Sequence, residues 1–218
     1  MRGVLRKVTL ALLVLALVAT FGFGCGAESG GGKVTLTIGL LTDMTGPASS
    51  LLRPGNKAIY DSTRYINEED PIPGAQINIV TYDGRLDASR DIPGYNWLTE
   101  RGARLIITSG TSSGDILKTF AAMDKVVIYS LSTSLYQMEP PGWVFGATPP
   151  IAWAIKAFLR WISEEHWSYE TQGRTPKIGC AGWDAAYDVE VAKAMKEYVE
   201  GHPTEFEYVG GYLAPVGT

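Results

Sequence analysis

Gly110-Thr111-Ser112-Ser113-Gly114 has the spacing G-x-S-x-G, the pattern in which a strand turns sharply into a helix and exposes a serine nucleophile. The flanks agree, with the apolar "RLIIT" before it and the amphipathic "DILKTFAAM" after it. Acyl transfer by Ser112 would further require an acid and then a histidine in loops after later strands. Only His166 and His202 are available. His166 follows Glu164 and Glu165 in the last turn of a long helical stretch, where it suits the helix dipole. His202 lies between Gly201 and Pro203, past a helix end. No "HGGG"-type oxyanion stretch occurs. A serine hydrolase using Ser112 is therefore the weaker reading. The other chemistry open to the same residues is a clamp, in which hydroxyls and backbone N–H groups at a helix N-terminus hold a carboxylate without reacting.

Other reactive constellations are missing. No Cys/His spacing suggests zinc, and neither G-x-G-x-x-G nor G-x-x-x-x-G-K-[ST] is present, so the phosphate cradles of nucleotide sites are lacking. In "YDGRLD", Asp83 and Asp87 lack the remaining ligands of a calcium loop and read as loop and helix-cap residues. No enzyme activity and no cofactor are expected. A net charge of −4 argues against a nucleic-acid partner, which needs a basic face.

The N-terminus reads as an export leader. Arg2, Arg6 and Lys7 precede the uncharged run Val8 to Phe23, an order of charge, apolar stretch and small residue that marks a secretory signal over residues 1–24. "GFGCG" resembles the lipobox of bacterial lipoproteins, with Cys25 as the lipidated residue. "GAESGGGK" then has the composition of a flexible tether, residues 25–32. Cys180 is the second of the two cysteines and is expected to be a small buried residue.

The elements that must position these residues alternate. Strands are expected at "VTLTIGLL", "QINIVTY", "ARLIIT" and "KVVIYSL". Helices are expected at "PGNKAIYDSTRYINEED", with Pro54 near its start and Ile59, Ser62, Ile66 and Glu69 on one face beside Ala58 and Tyr65, and at "DASRDIPGYNWLTERG", kinked or split by Pro93-Gly94. "PPGWVFGATPP", with four prolines and two glycines, reads as a crossing between domains. Beyond it come a helix with Ile151, Ile155, Phe158 and Ile162 on one stripe, the strand "KIGCAGW", the helix "YDVEVAKAMKEYVEG" and the strand "EFEYVGGYL". The fold class is α/β with a mostly parallel sheet, in an N-terminal lobe (33–147) and a partial second lobe (148–218). The second set buries too little to stand alone, so Thr218 is expected to end a fragment. Trp153 and Trp161 read as packing or surface residues.

In such sheets, ligands bind at the carboxyl ends of the strands. Three strand ends here carry polar groups, "TDMTGPASS", "SGTSSG" and "SLSTS", which makes Ser112, Ser113, Ser132 and Thr133 the natural donors. These stretches, together with "VTYDGRLD" and "GWDAAYDVEVA", resemble the Leu/Ile/Val-binding type of periplasmic binding protein, the substrate-binding component of ABC transporters, from about Val34 to Thr218. The resemblance implies a type I fold, two Rossmann-like lobes joined by a hinge and closing on a small ligand. It implies a ligand carboxylate held by the hydroxyl of Ser112 or Ser113, by Thr133 through its hydroxyl and by Leu131 through its backbone, with Ser132 standing where the family usually has Ala. Tyr187 would be the facing aromatic, with Asp188 in place of the usual Gly. Trp183, beside Asp184 and Tyr187 at a strand end, is by its position a further candidate to line the pocket. The implied protein is a monomeric, lipid-anchored binder of an amino acid, amide or aromatic acid, with an ABC permease as partner; a ligand-sensing receptor of the same fold is the alternative.

Overall fold

The structure, a computed structural model, describes residues 33–216. The expected leader, Cys25 and the tether fall outside these residues.

Seven strands and seven helices follow one another as β1 (Val34–Thr42), α1 (Ser49–Glu69), β2 (Ala75–Asp83), a 3₁₀ turn (Ala88–Arg90), α2 (Asp91–Glu100), β3 (Leu105–Thr108), α3 (Ser113–Asp124), β4 (Val127–Ser130), α4 (Leu135–Met138), β5 (Val144–Gly146), α5 (Ile151–Trp161) with a π-helical turn (Ile162–His166), α6 (Tyr169–Gln172), β6 (Lys177–Trp183), α7 (Ala186–Gly201) and β7 (Glu207–Ala214). The first sheet has the order β2-β1-β3-β4-β5. β1, β3, β4 and β5 run parallel, with Leu40 beside Ile107, Ile107 beside Tyr129, and Tyr129 beside Phe145. Its core joins Leu41, Ile106 and Ile128 from the strands to Tyr95, Leu98, Leu117 and Ala121 from α2 and α3. A second sheet pairs β6 and β7 in parallel, from Lys177 beside Glu207 to Trp183 beside Ala214. Leu159, Val199 and Phe206 form its core.

Several expectations change. α1 begins at Ser49, so Pro54 lies inside the helix rather than near its start. Pro54 has no N–H for the carbonyl of Ser50, and both residues are exposed, where water meets that carbonyl. The inward stripe of α1 runs through Leu52, Ile59, Thr63 and Ile66, while Ala58, Ser62, Tyr65 and Glu69 are exposed. Asn67 fixes it to β2, donating from Nδ2 to Ile77 O and accepting from Ile77 N, both at 2.8 Å. The second helical segment breaks before Asp91, not at Pro93-Gly94. Pro93 then stands in the first turn, where its missing N–H has no partner to lose. Gly94 lets α2 close onto the sheet, since a Cβ there would lie 2.7 Å from side-chain carbons of Leu41 and Tyr82.

The proline-rich crossing contains β5, whose three residues extend the first sheet. Along α5, Leu159 is the buried residue and Phe158 points outward, stacked on Trp161. Trp153 and Trp161 are surface residues. Cys180 is half-buried rather than buried, a free thiol whose pKa is pushed up mainly by desolvation.

Candidate ligand-binding site

The strand order decides where a cleft opens. From β1 the chain moves to β2 on one side, then returns past β1 to β3 on the other. The loops leaving β1 and β3 therefore diverge, and the gap between their carboxyl ends is the usual ligand position of a doubly wound sheet. A small open cleft lies there, lined by Leu41 to Asp43, by Gly84 and Leu86 to Ala88, by Asp91, and by Ser109 to Ser113.

Local hydrogen bonds shape its walls. Asp43, 1% exposed, accepts from Gly46 N at 2.5 Å and Ala48 N at 2.8 Å, which turns the chain from β1 into α1. Asp83 accepts from Met44 N at 2.9 Å, Thr45 Oγ1 at 2.5 Å and Arg85 N at 3.3 Å, joining the end of β2 to the same turn. Burial opposes its charge, but these bonds prevail and hold its carboxyl below the usual aspartate range. Asp87 caps the 3₁₀ turn by accepting from Ser89 N. The loop and cap roles expected of Asp83 and Asp87 are thus observed. Among the described residues, no group of three or more His, Cys, Asp or Glu is placed to hold a metal ion.

The loop after β3 is held at both ends. Ser109 Oγ donates to Thr42 Oγ1 at 3.0 Å, and Thr42 in turn donates to Asn56. Ser113, 1% exposed, donates from Oγ to Asp91 Oδ1 at 2.9 Å. Between these anchors, Gly110, Thr111 and Ser112 line the cleft. Ser112 makes no side-chain cap bond to α3. Asp91, 5% exposed at the first position of α2, has its pKa raised to about 6, chiefly by burial; the Ser113 hydrogen bond opposes the shift and the Asp87 charge adds to it.

Ser112 has φ −111° and ψ −4°, relaxed backbone rather than a strained elbow. No histidine lines the cleft. The His166 ring stacks on Trp161, and His202 stacks on Tyr198 and meets its carbonyl at 2.7 Å.

Of the expected ligand residues, the structure brings Ser112 and Ser113 to this cleft, with the Ser113 hydroxyl turned to Asp91. Leu131, Ser132 and Thr133 lie at the end of β4, outside the lining. Leu131 is exposed, and Ser132 O accepts from Ser130 Oγ and from Gln137 Nε2. Thr133 is 2% exposed and packs against Gly146, which has no side chain to obstruct it. Thr133 Oγ1, like Thr108 Oγ1 and Gln137 Oε1, has no hydrogen-bond partner among the described residues. Trp183 and Tyr187 stand at the end of β6 and the start of α7, each 36% exposed, and neither lines the cleft. The substitution at Asp188 is explained locally, since its carboxylate accepts from Trp183 N at 3.1 Å.

Sequence reasoning missed Asp43, Asp91 and Glu190. The first two are ordinary loop and helix-start acids until the tertiary fold buries them. Glu190, on α7, accepts from the backbone N–H of Leu135, and its pKa is raised chiefly by burial, with the Asp115 charge adding to it.

A family profile described as periplasmic binding protein matches residues 35–218. Searching curated proteins returns no match. Among solved structures, the chain is similar to a branched chain amino acid ABC transporter from Thermus thermophilus with bound valine, at 16% identity, TM-score 0.72, covering 84% of this chain and 46% of that one. It is similar to an ABC transporter substrate binding protein of Aeropyrum pernix, at 22% identity, TM-score 0.67, with 85% and 47% covered. A third is an ABC transporter solute binding protein from Rhodopseudomonas palustris BisB5 in complex with 3,4-dihydroxy benzoic acid, at 17% identity, TM-score 0.64, with 83% and 47% covered. The chain spans about half the length of these structures. Its strand order and its match over most of its length make the fold the expected type I α/β fold, and the chain belongs to the periplasmic binding protein family.

Proposed function

We propose that this chain is the ligand-contacting part of an extracytoplasmic solute-binding component of an ABC importer, binding a small carboxylate- or amide-bearing solute. The observation that carries the reading is the cleft at the β1/β3 divergence, walled by a hydroxyl-rich loop anchored at both ends. Ser112 donates to the solute, with the Leu131 backbone and Thr133 contributing once the turn after β4 faces the ligand. Ser132 borders that turn. Trp183 and Tyr187 close from the second lobe. A permease reads the closed form, and a lipid on Cys25 holds the monomer at the membrane. The family, made of binding proteins, supports a binder rather than an enzyme. Closure follows if the solute binds the closed state better.

A thermal-shift panel of L-valine, benzoate, acetamide and an aryl ester on the full-length protein tests this. A ligand at 100 times its Kd adds about 2.7 kcal/mol, a rise of several degrees at this size. Ser112→Ala should weaken that ligand about tenfold, the worth of one hydrogen bond to a charged group. No shift with any acid or amide overturns the reading. Ester turnover abolished by Ser112→Ala would replace it with the hydrolase.

A further inference from the structure

The cleft wall contains one buried carboxylate that its role as a binding surface leaves unexplained. Asp43 and Asp87 also border the cleft, but backbone N–H groups occupy them. Asp91 has no such partner among its hydrogen bonds, and the bond from Ser113 engages Oδ1 and leaves Oδ2 for a proton. It is more than nine-tenths buried, lines the cleft, and sits beneath the first residue of α3.

We infer that Asp91 is a proton-linked positioning residue of the ligand site, taking up one proton when a ligand carboxylate settles against the Ser112–Ser113 end of α3. The inference rests on the binding-cleft reading above. The proton comes from solvent and goes to Oδ2, while Ser113 continues to donate to Oδ1. A ligand carboxylate brought beside the buried Asp91 adds a like charge to it, and the group that is already harder to ionise gives way. Asp91 titrates near 6 without ligand, so a proton is available to it at a modest cost near neutrality.

The surrounding charges do not offer a competing partner. Asp87 faces Asp91 from the 3₁₀ turn and adds to its reluctance to ionise. On β2, Asp83 is held by the β1–α1 turn. Arg90 donates to Asp83 O and lies over the Tyr82 ring. On α3, Asp115 accepts from Ser134 Oγ. No Lys or Arg lines the cleft.

The sign follows from linkage. A ligand anion binds the protonated form better, so affinity is highest below about pH 6 and falls as pH rises, by up to about tenfold per unit. The test titrates the full-length protein with benzoate and with L-valine from pH 5 to 8.5, where both carboxyl groups remain ionised, by calorimetry in buffers of different ionisation enthalpy. The expected result is proton uptake on binding and a Kd that rises above about pH 6. Asp91→Asn should bind with a flat pH profile at the tight, low-pH level. Ser113→Ala should move the step to higher pH, because the hydrogen bond that favours the charged form is gone. Circular dichroism checks that each variant is folded. A flat wild-type profile, a step that survives in Asp91→Asn, or an affinity that rises with pH would overturn the inference while leaving the binding function intact. Binding of neither probe, nor of any panel acid or amide, overturns both.

Discussion

Gly114 and Gly55 are both helical glycines, and the space around them gives them opposite roles. A Cβ on Gly114 would lie 2.5 Å from Gln137 Cδ. Gln137 is fully buried and donates to Ser132 O at 3.1 Å. Alanine in a helix normally gains about 1 kcal/mol over glycine, but overpacking costs about 1–3 kcal/mol. Gly114→Ala is therefore expected to lower stability by about 1–2 kcal/mol and to displace the turn at Ser132, measured by urea denaturation. A Cβ on Gly55 meets nothing within 4 Å, so Gly55→Ala in α1 should stabilise by up to about 1 kcal/mol in the same assay. The contrast depends on packing, not on local propensity.

At the scale of elements, the path from β1 into α1 is set by one side chain. Asp43 gathers Gly46 N and Ala48 N, and without it those two donors have no acceptor in a partly buried turn. Each unsatisfied buried donor costs about 1–3 kcal/mol. Asp43→Ala should destabilise by at least about 2 kcal/mol and fray the start of α1, visible as faster amide exchange at Ser49 to Arg53. Asp83 joins β2 to the same turn, so two acids shape the wall of the cleft through the backbone and hydroxyl groups they gather. In the sequence the loop "TDMTGPASS" was legible as polar and strand-terminal. Which of its residues would turn inward was not, because that depends on where α1 and β2 dock.

Across the whole molecule, the two sheets are unequal. The first has a core that runs from Leu41 through Ile106 and Ile128 to Val144, closed by Tyr95, Leu98 and Leu117. The second is a strand pair with Leu159, Val199 and Phe206 beneath it and with Val209 and Tyr212 exposed at 55% and 70%. Pairs of strands are marginal by themselves, and local opening energies follow buried contacts. Hydrogen exchange on this chain should therefore release β6, β7 and α7 well before β1, β3 and β4. Equal protection in both sheets would contradict this account.

The alternation of apolar strands with amphipathic helices, which stands in the sequence itself, determined the α/β class, the parallel sheet and the carboxyl-end loops that border the cleft. Hydrophobic periodicity is a local property, so β1, β6 and α7 were readable within a residue or two. β5 was not, because three residues among prolines and glycines have no period to detect; only the edge of β4 makes them a strand. The tertiary structure alone decided that Thr133 tucks against Gly146, that Phe158 turns out while Leu159 turns in, and that Ser113 meets Asp91. That last pair is 22 residues apart, in different helices, and each residue alone reads as an ordinary helix start. Their chemistry exists because the chain crosses β1 between β2 and β3, and a local pattern contains no information about such a crossing.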